Sequence, residues 1–157
     1  MRKSILNLLV IILLIFISKS CDKTENPVDD KITAADINSV KAAVMNGDWM
    51  ISYYFDSDKE ETADYAGYTF NFNADGTLGA TNGNSSLSGA WSVTSSDNGN
   101  DEDSSDDVDF NILFSSPEIF VELSDDWDIK KYAATKIELV DVSGGDGSTD
   151  LLTFEKK

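Results

Sequence analysis

From Trp49 to the C-terminus the hydrophobic residues keep a period of two. Trp49, Ile51, Tyr53 and Phe55 alternate with Met50, Ser52 and Tyr54, and Tyr68, Phe70 and Phe72 alternate with Thr69, Asn71 and Asn73. Successive side chains of a strand point to opposite faces, so this alternation predicts half-buried strands. Ala74-Asp75-Gly76 turns the chain into a strand over 77–82, and Asn82-Gly83 is a second turn signal. A strand over 87–94 follows, with Trp91 and Val93 on one face and Gly89 allowing a bend. Val108, Phe110, Ile112 and Phe114 restore the alternation. Residues 115–123 hold Pro117 and the apolar cluster Ile119-Phe120-Val121, which predicts a helical turn rather than a strand. Trp127 and Ile129 begin the next strand, Ala133-Ala134 turns it, and residues 136–142 run back. A glycine-rich hairpin loop over 143–149 leads to a last strand with Leu152 and Phe154.

Ahead of these strands the spacing is helical. Ile37, Val40 and Val44 share one face, Thr33 suits the N-cap with Asp36 in capping-box position, and Gly47 suits the stop, predicting a helix over about 34–46. The expected fold is all-β: about eight antiparallel strands in sequential order, preceded by a short helix. Closing such a sheet into an up-and-down barrel removes both of its exposed edges. An eight-stranded barrel is just wide enough inside to be filled by side chains or to hold one small ligand.

The first 20 residues do not belong to this pattern. Arg2 and Lys3 precede a 13-residue run over 5–17 that is apolar except for Asn7, and Ser18-Lys19-Ser20 lead into Cys21, the single cysteine. The run is shorter than the roughly 20 apolar residues that span a bilayer, and it has the form of a signal-peptide core. Bacterial lipoprotein signals end in this way, at a cysteine that is acylated and becomes the first residue. The expected organisation is a lipoprotein signal over 1–20, a polar tether over 21–32 and a barrel with its leading helix over 33–157. Lipid on Cys21 would anchor the protein at the outer membrane without a transmembrane helix.

Charge narrows the function. The chain has 12 basic and 29 acidic residues, a formal charge of −17. Arg2, Lys3 and Lys19 are the only charges in residues 1–20, so their removal leaves 9 basic and 29 acidic residues and a charge of −20. That sign opposes binding to nucleic acid and adsorption onto anionic headgroups. There is no histidine, and an acylated Cys21 leaves no thiol. Ser-His-Asp and Cys-His catalysis and the usual zinc sites therefore lack their residues. The expected protein is a monomer, needs no cofactor and is not an enzyme.

Gly47-Asp48-Trp49 after the helix, Tyr-Thr-Phe-Asn-Phe-Asn-Ala-Asp-Gly-Thr at 68–77, Gly-Ala-Trp at 89–91, Asp-Asp-Trp at 125–127, Lys-Ile-Glu-Leu at 136–139 and Leu-Thr-Phe-Glu-Lys at 152–156 resemble the lipocalin-like lipoproteins of Bacteroidetes. The resemblance spans roughly residues 47–157. It implies a barrel at the cell envelope, with Trp49 closing one end against a basic residue near the last strand, Lys156 or Lys157. Most members of that family are uncharacterised.

Three groups of side chains are candidates for chemistry. Tyr53, Tyr68, Phe70, Phe72, Trp91, Phe110, Phe114, Trp127 and Phe154 form the expected inward face. They either line a cavity for a small apolar ligand or fill the barrel, and alternation is the same in both cases. Asp97, Asn98, Asn100, Asp101, Asp103, Asp106, Asp107 and Asp109, with Asp141, Asp146 and Asp150, offer oxygens to a calcium ion but lack EF-hand spacing, and a solvated acidic loop accounts for them. Glu122, Asp126 and Asp128, near Phe120 and Trp127, are the carboxylates placed for acid–base work if one of them is buried. Two functions follow: a tethered carrier of an apolar ligand, or a solid-cored protein that meets a cell-envelope partner through its acidic surface and loops.

Overall fold

Each alternating run folds as a strand and pairs with its neighbours in sequence. The structure, a computed structural model, describes residues 31–95, 108–142 and 147–157. Its strands are β1 (Trp49–Asp56), β2 (Lys59–Glu60), β3 (Thr69–Phe72), β4 (Thr77–Thr81), β5 (Ser86–Ser95), β6 (Val108–Leu113), β7 (Asp126–Ala133), β8 (Lys136–Val142) and β9 (Thr149–Lys156). All adjacent pairs are antiparallel, and β1 closes the sheet on β9 from Trp49 opposite Lys156 to Phe55 opposite Leu151. Eight strands make the barrel. The two residues of β2 only fold back on the end of β1.

The seam between β1 and β3 is held by one ladder position, Trp49 opposite Phe70. Beyond it a 3-10 turn, Thr62–Tyr65, lies along β1 in place of a strand. The Tyr54 amide donates to Thr62 Oγ1 at 2.8 Å and the Glu61 amide donates to the Tyr54 carbonyl at 2.9 Å. The backbone groups of Tyr54 at this edge are thus satisfied without a ladder.

Two irregularities change which residues face inward. The register of β1 against β9 shifts between Ile51 and Tyr53. Trp49 and Ile51 point into the core as the alternation predicts, but after the bulge Tyr54 takes the inward position and Tyr53 is 39% exposed. An extra residue in one strand inverts every later side chain on it. A second bulge, between Ile129 and Lys131, leaves Lys130 and Lys131 both exposed and turns Tyr132 toward the core. The turn that follows lies at Ala134 and Thr135, one residue later than the sequence predicts.

The helical pieces cover the two ends. α1 (Ile37–Val44) follows a 3-10 turn, Ala34–Asp36, whose Asp36 carboxylate accepts from the Thr33 amide at 3.0 Å and the Thr33 hydroxyl at 2.9 Å. Val40 and Val44 are buried and Ile37 is half-buried against the same core. Gly47 ends the segment at φ +110°, a left-handed conformation that favours glycine over any residue with a Cβ. α2 (Glu118–Val121) is the helical turn expected in the β6–β7 connection, and it buries Phe120. Strand directions put α1 and the turns at 73–76 and 134–135 at one end of the barrel. The opposite end carries α2, the 57–68 connection and the turn at 82–85.

Candidate functional site

The barrel interior is where the sequence places its largest set of candidate side chains. Phe70, Phe72, Trp91, Phe110, Phe114, Trp127 and Phe154 are buried there, and Tyr68 is half-buried against them. Tyr53 is not, for the bulge described above. Tyr54, Tyr65 and Phe120 complete the interior instead. No alternation marks Tyr65, which sits in the 3-10 turn, or Phe120, which sits in a connection. Their inward placement depends on how these connecting segments pack against the end of the barrel.

The rings touch one another across the interior. Trp91 stacks on Phe110 with centroids 5.9 Å apart, and Phe72 meets Trp91, Phe110 and Phe154 edge-on at 5.3, 5.5 and 5.4 Å. Phe154 continues to Phe70 at 5.3 Å, and Phe70 to Phe120 at 6.1 Å. Phe120 also contacts Tyr65, Tyr68 and Phe114 at 5.6, 4.9 and 5.1 Å. Tyr54 links Tyr65 and Trp127 at 5.4 and 6.5 Å. Separations of this size are ring-to-ring contact, each pair worth roughly 0.5–1.5 kcal/mol beyond its buried area. Along this path the space is occupied by side chains.

The polar atoms of Trp91, Trp127, Tyr54 and Tyr65 are committed to the chain itself. Trp91 Nε1 donates to the Asn73 carbonyl at 3.0 Å and Trp127 Nε1 to the Leu123 carbonyl at 3.1 Å. The Tyr54 hydroxyl donates to the Glu122 carbonyl at 2.9 Å, and the Tyr65 hydroxyl donates to the Ile119 carbonyl. Burial, followed by nearby negative charge, pushes both phenols well above their usual range, so they remain donors. Four carbonyls within or next to connecting segments are bound in this way, three of them around α2.

The α1 end is closed by Trp49. Its Nε1 donates to the Val44 carbonyl at 2.7 Å, capping the C-terminus of α1. Lys156 Nζ stands 5.5 Å from the centre of the indole and donates to the Ala134 carbonyl at 3.1 Å. Of the two lysines that the resemblance offers for this position, Lys156 occupies it.

The acidic candidates are distributed differently. Asp97 to Asp107 and Asp146 lie outside the described residues, as does Cys21. Asp109 and Asp128 face each other across β6 and β7, and Asp141 and Asp150 across β8 and β9. Asp150 accepts from the Ser57 amide at 2.7 Å, which commits it to the turn after β1. Among the described residues no group of three or more His, Cys, Asp or Glu side chains is placed to hold a metal ion, and no polar or charged residue is buried. Asp126 and Asp128 are exposed on β7, while Glu122 follows α2. Burial raises the Glu122 carboxyl, and Glu61, Asp56, Glu118 and Asp64 add to the rise.

Asp125, which the sequence does not single out, is the most perturbed of the carboxyls. Burial pushes it up to about 6, and Asp141 and Asp126 contribute. A carboxyl that holds its proton more tightly in the folded chain than at 3.8 stabilises the fold when protonated. That stability is fully present below about pH 4 and is lost as pH rises through about 6. Asp125→Asn should therefore raise the denaturation midpoint at neutral pH and leave it unchanged near pH 4. Asparagine retains the oxygen that accepts from the Asp126 amide at 2.8 Å. Urea titrations at the two pH values measure the difference, and equal shifts at both would refute it.

Shallow concavities lie around the barrel wall. One of about 290 Å³ is bordered by Ala90, Ser92, Asn111 and Leu113, one of about 200 Å³ by Lys131, Ala133, Lys136 and Glu138, and one of about 350 Å³ by Lys41, Met45, Asp75 and Ser92.

No protein-family model matches the chain, and no curated protein matches it. Among solved structures, a DUF4847 family protein from Bacteroides vulgatus is similar at 16% identity and a TM-score of 0.46, over 75% of this chain and 97% of that one.

Proposed function

We propose that this chain is a lipid-anchored, non-enzymatic protein of the outer membrane that acts by binding a cell-envelope partner through its surface. The ring-to-ring packing of the interior carries this reading, because a carrier needs an empty volume where Phe70, Phe72, Phe120 and Phe154 meet. The absence of histidine and the charge of −17 agree with it, since they leave few routes to catalysis and none to a polyanionic partner.

The rival reading is a vessel for a small apolar ligand, and one measurement separates the two. The protein is titrated with fatty acids, retinoids and haem while its tryptophan emission is followed. The solid-core reading expects no saturable response. Quenching that saturates at one ligand per chain and weakens in Phe70→Ala would establish the vessel in its place.

The anchor has its own test. Cys21→Ser removes the acylated thiol, so the protein should move from the membrane fraction to the soluble fraction. Retention of the variant on membranes would contradict lipid anchoring. Proteolysis of whole cells would then show which side of the membrane the barrel faces. Lys23 and Glu25, just after the cysteine, resemble the charged export tags of surface lipoproteins.

A further inference from the structure

We propose that the α2 end of the barrel is a docking surface for a cationic, partly aliphatic protein segment. The inference rests on the surface-binding reading above and assigns it a face and a partner chemistry.

Seven large hydrophobic residues are exposed among the described residues, and four of them lie at this end: Leu113 at 62%, Ile119 at 37%, Val121 at 43% and Val142 at 59%. Ile119 and Val121 flank Phe120 on a helix of four residues, which is too short to bury more than one side. Leu113 and Val142 end β6 and β8, and the registers Asn111–Asp126 and Asp128–Val140 bring the exposed Asp126 between those two strand ends. Aliphatic groups and carboxylates are thus interleaved.

Charge identifies the occupant. Glu61, Asp64, Glu118 and Asp56 all act on Glu122, so these carboxylates converge beside α2. Of the eight lysines in the described residues, only Lys59 is at this end, where it pairs with Glu61. The other seven, Lys130, Lys131, Lys136 and Lys156 among them, belong to the half of the barrel nearer α1. An anionic partner would be repelled, and a neutral apolar one would strip water from the carboxylates without replacing it. A segment carrying lysine or arginine beside aliphatic side chains satisfies both components.

The probe is a fluorescent synthetic peptide of alternating lysine and valine, titrated into the full chain in nonionic detergent, with detergent alone as control. Saturable binding that weakens as salt rises is expected. The paired substitutions Ile119→Ser and Val121→Ser leave the charge unchanged and should weaken binding roughly tenfold. Glu118→Gln with Glu122→Gln should weaken it and flatten its salt dependence. All four side chains are exposed, and circular dichroism checks that the fold is retained. If the serine pair binds like the parent, only diffuse attraction is present and the docking surface is refuted. If Asp109→Asn with Asp128→Asn abolishes binding while both α2 pairs leave it intact, the face is wrong although surface binding stands. Self-association that excludes the peptide would also overturn the proposal. Saturable uptake of an apolar ligand in the fluorescence titration would instead overturn the underlying reading.

Discussion

Phe120→Ala is expected to lower the free energy of unfolding by about 3–5 kcal/mol, the cost of removing a large ring from a core that cannot fully collapse around the vacancy. Phe120 is fully buried and its ring meets Tyr65, Tyr68, Phe70 and Phe114. It comes from a four-residue helix, which has no stability of its own in water. What holds α2 in place is the seating of Phe120, the burial of Leu123 and the bonds from Tyr54, Tyr65 and Trp127 to nearby carbonyls. The variant should therefore also release the β6–β7 connection, with faster hydrogen exchange there than in β8 and β9. Chemical denaturation gives the first quantity. A loss below about 1 kcal/mol would mean that the ring is less integral than its contacts indicate. Phe120→Leu, which keeps most of the volume, should cost distinctly less.

Trp49→Ala is expected to be comparably damaging, at about 3–5 kcal/mol. The indole is fully buried, caps α1 through the Val44 carbonyl and sits at the one ladder position between β1 and β3. Trp49→Phe separates the contributions. It keeps a ring but leaves the Val44 carbonyl without its donor, at about 1–3 kcal/mol. Lys156→Met removes the cation over the ring together with the exposed bond to the Ala134 carbonyl, interactions worth about 0.5–1 kcal/mol. Denaturation midpoints should rank the three in that order. A Trp49→Phe variant as damaged as Trp49→Ala would place the importance of the residue in its hydrogen bond rather than its bulk.

The two positions differ in how they are read from the chain. Trp49 opens an alternating run and follows a glycine stop, so its inward placement is legible in the order of residues, and its role at a barrel end is what the family resemblance implies. Phe120 lies in an apolar triplet with no period, and nothing local says which of its three side chains enters the core. Tyr53 and Tyr54 mark the same limit within a strand. Their sequence continues the alternation of Trp49 and Ile51, yet the bulge against β9 exchanges them. A bulge is set by how two strands distant in the chain fit together, so the local pattern of either strand does not contain it.

Alternation and turn signals along the chain already contain the strand order, the closed barrel, the leading helix, a helical turn within 115–123 and the inward side of most strands. Those features follow from periodicity and turn chemistry acting over a few residues. Tertiary packing alone sets the 3-10 turn that covers the weak seam of that barrel and the placement of Lys156, rather than Lys157, over Trp49. It also decided how the aromatic face is used. Inward rings look alike along the chain whether they line a cavity or meet at its centre, and the distance between opposite walls, set by strand number and stagger, chooses between the two.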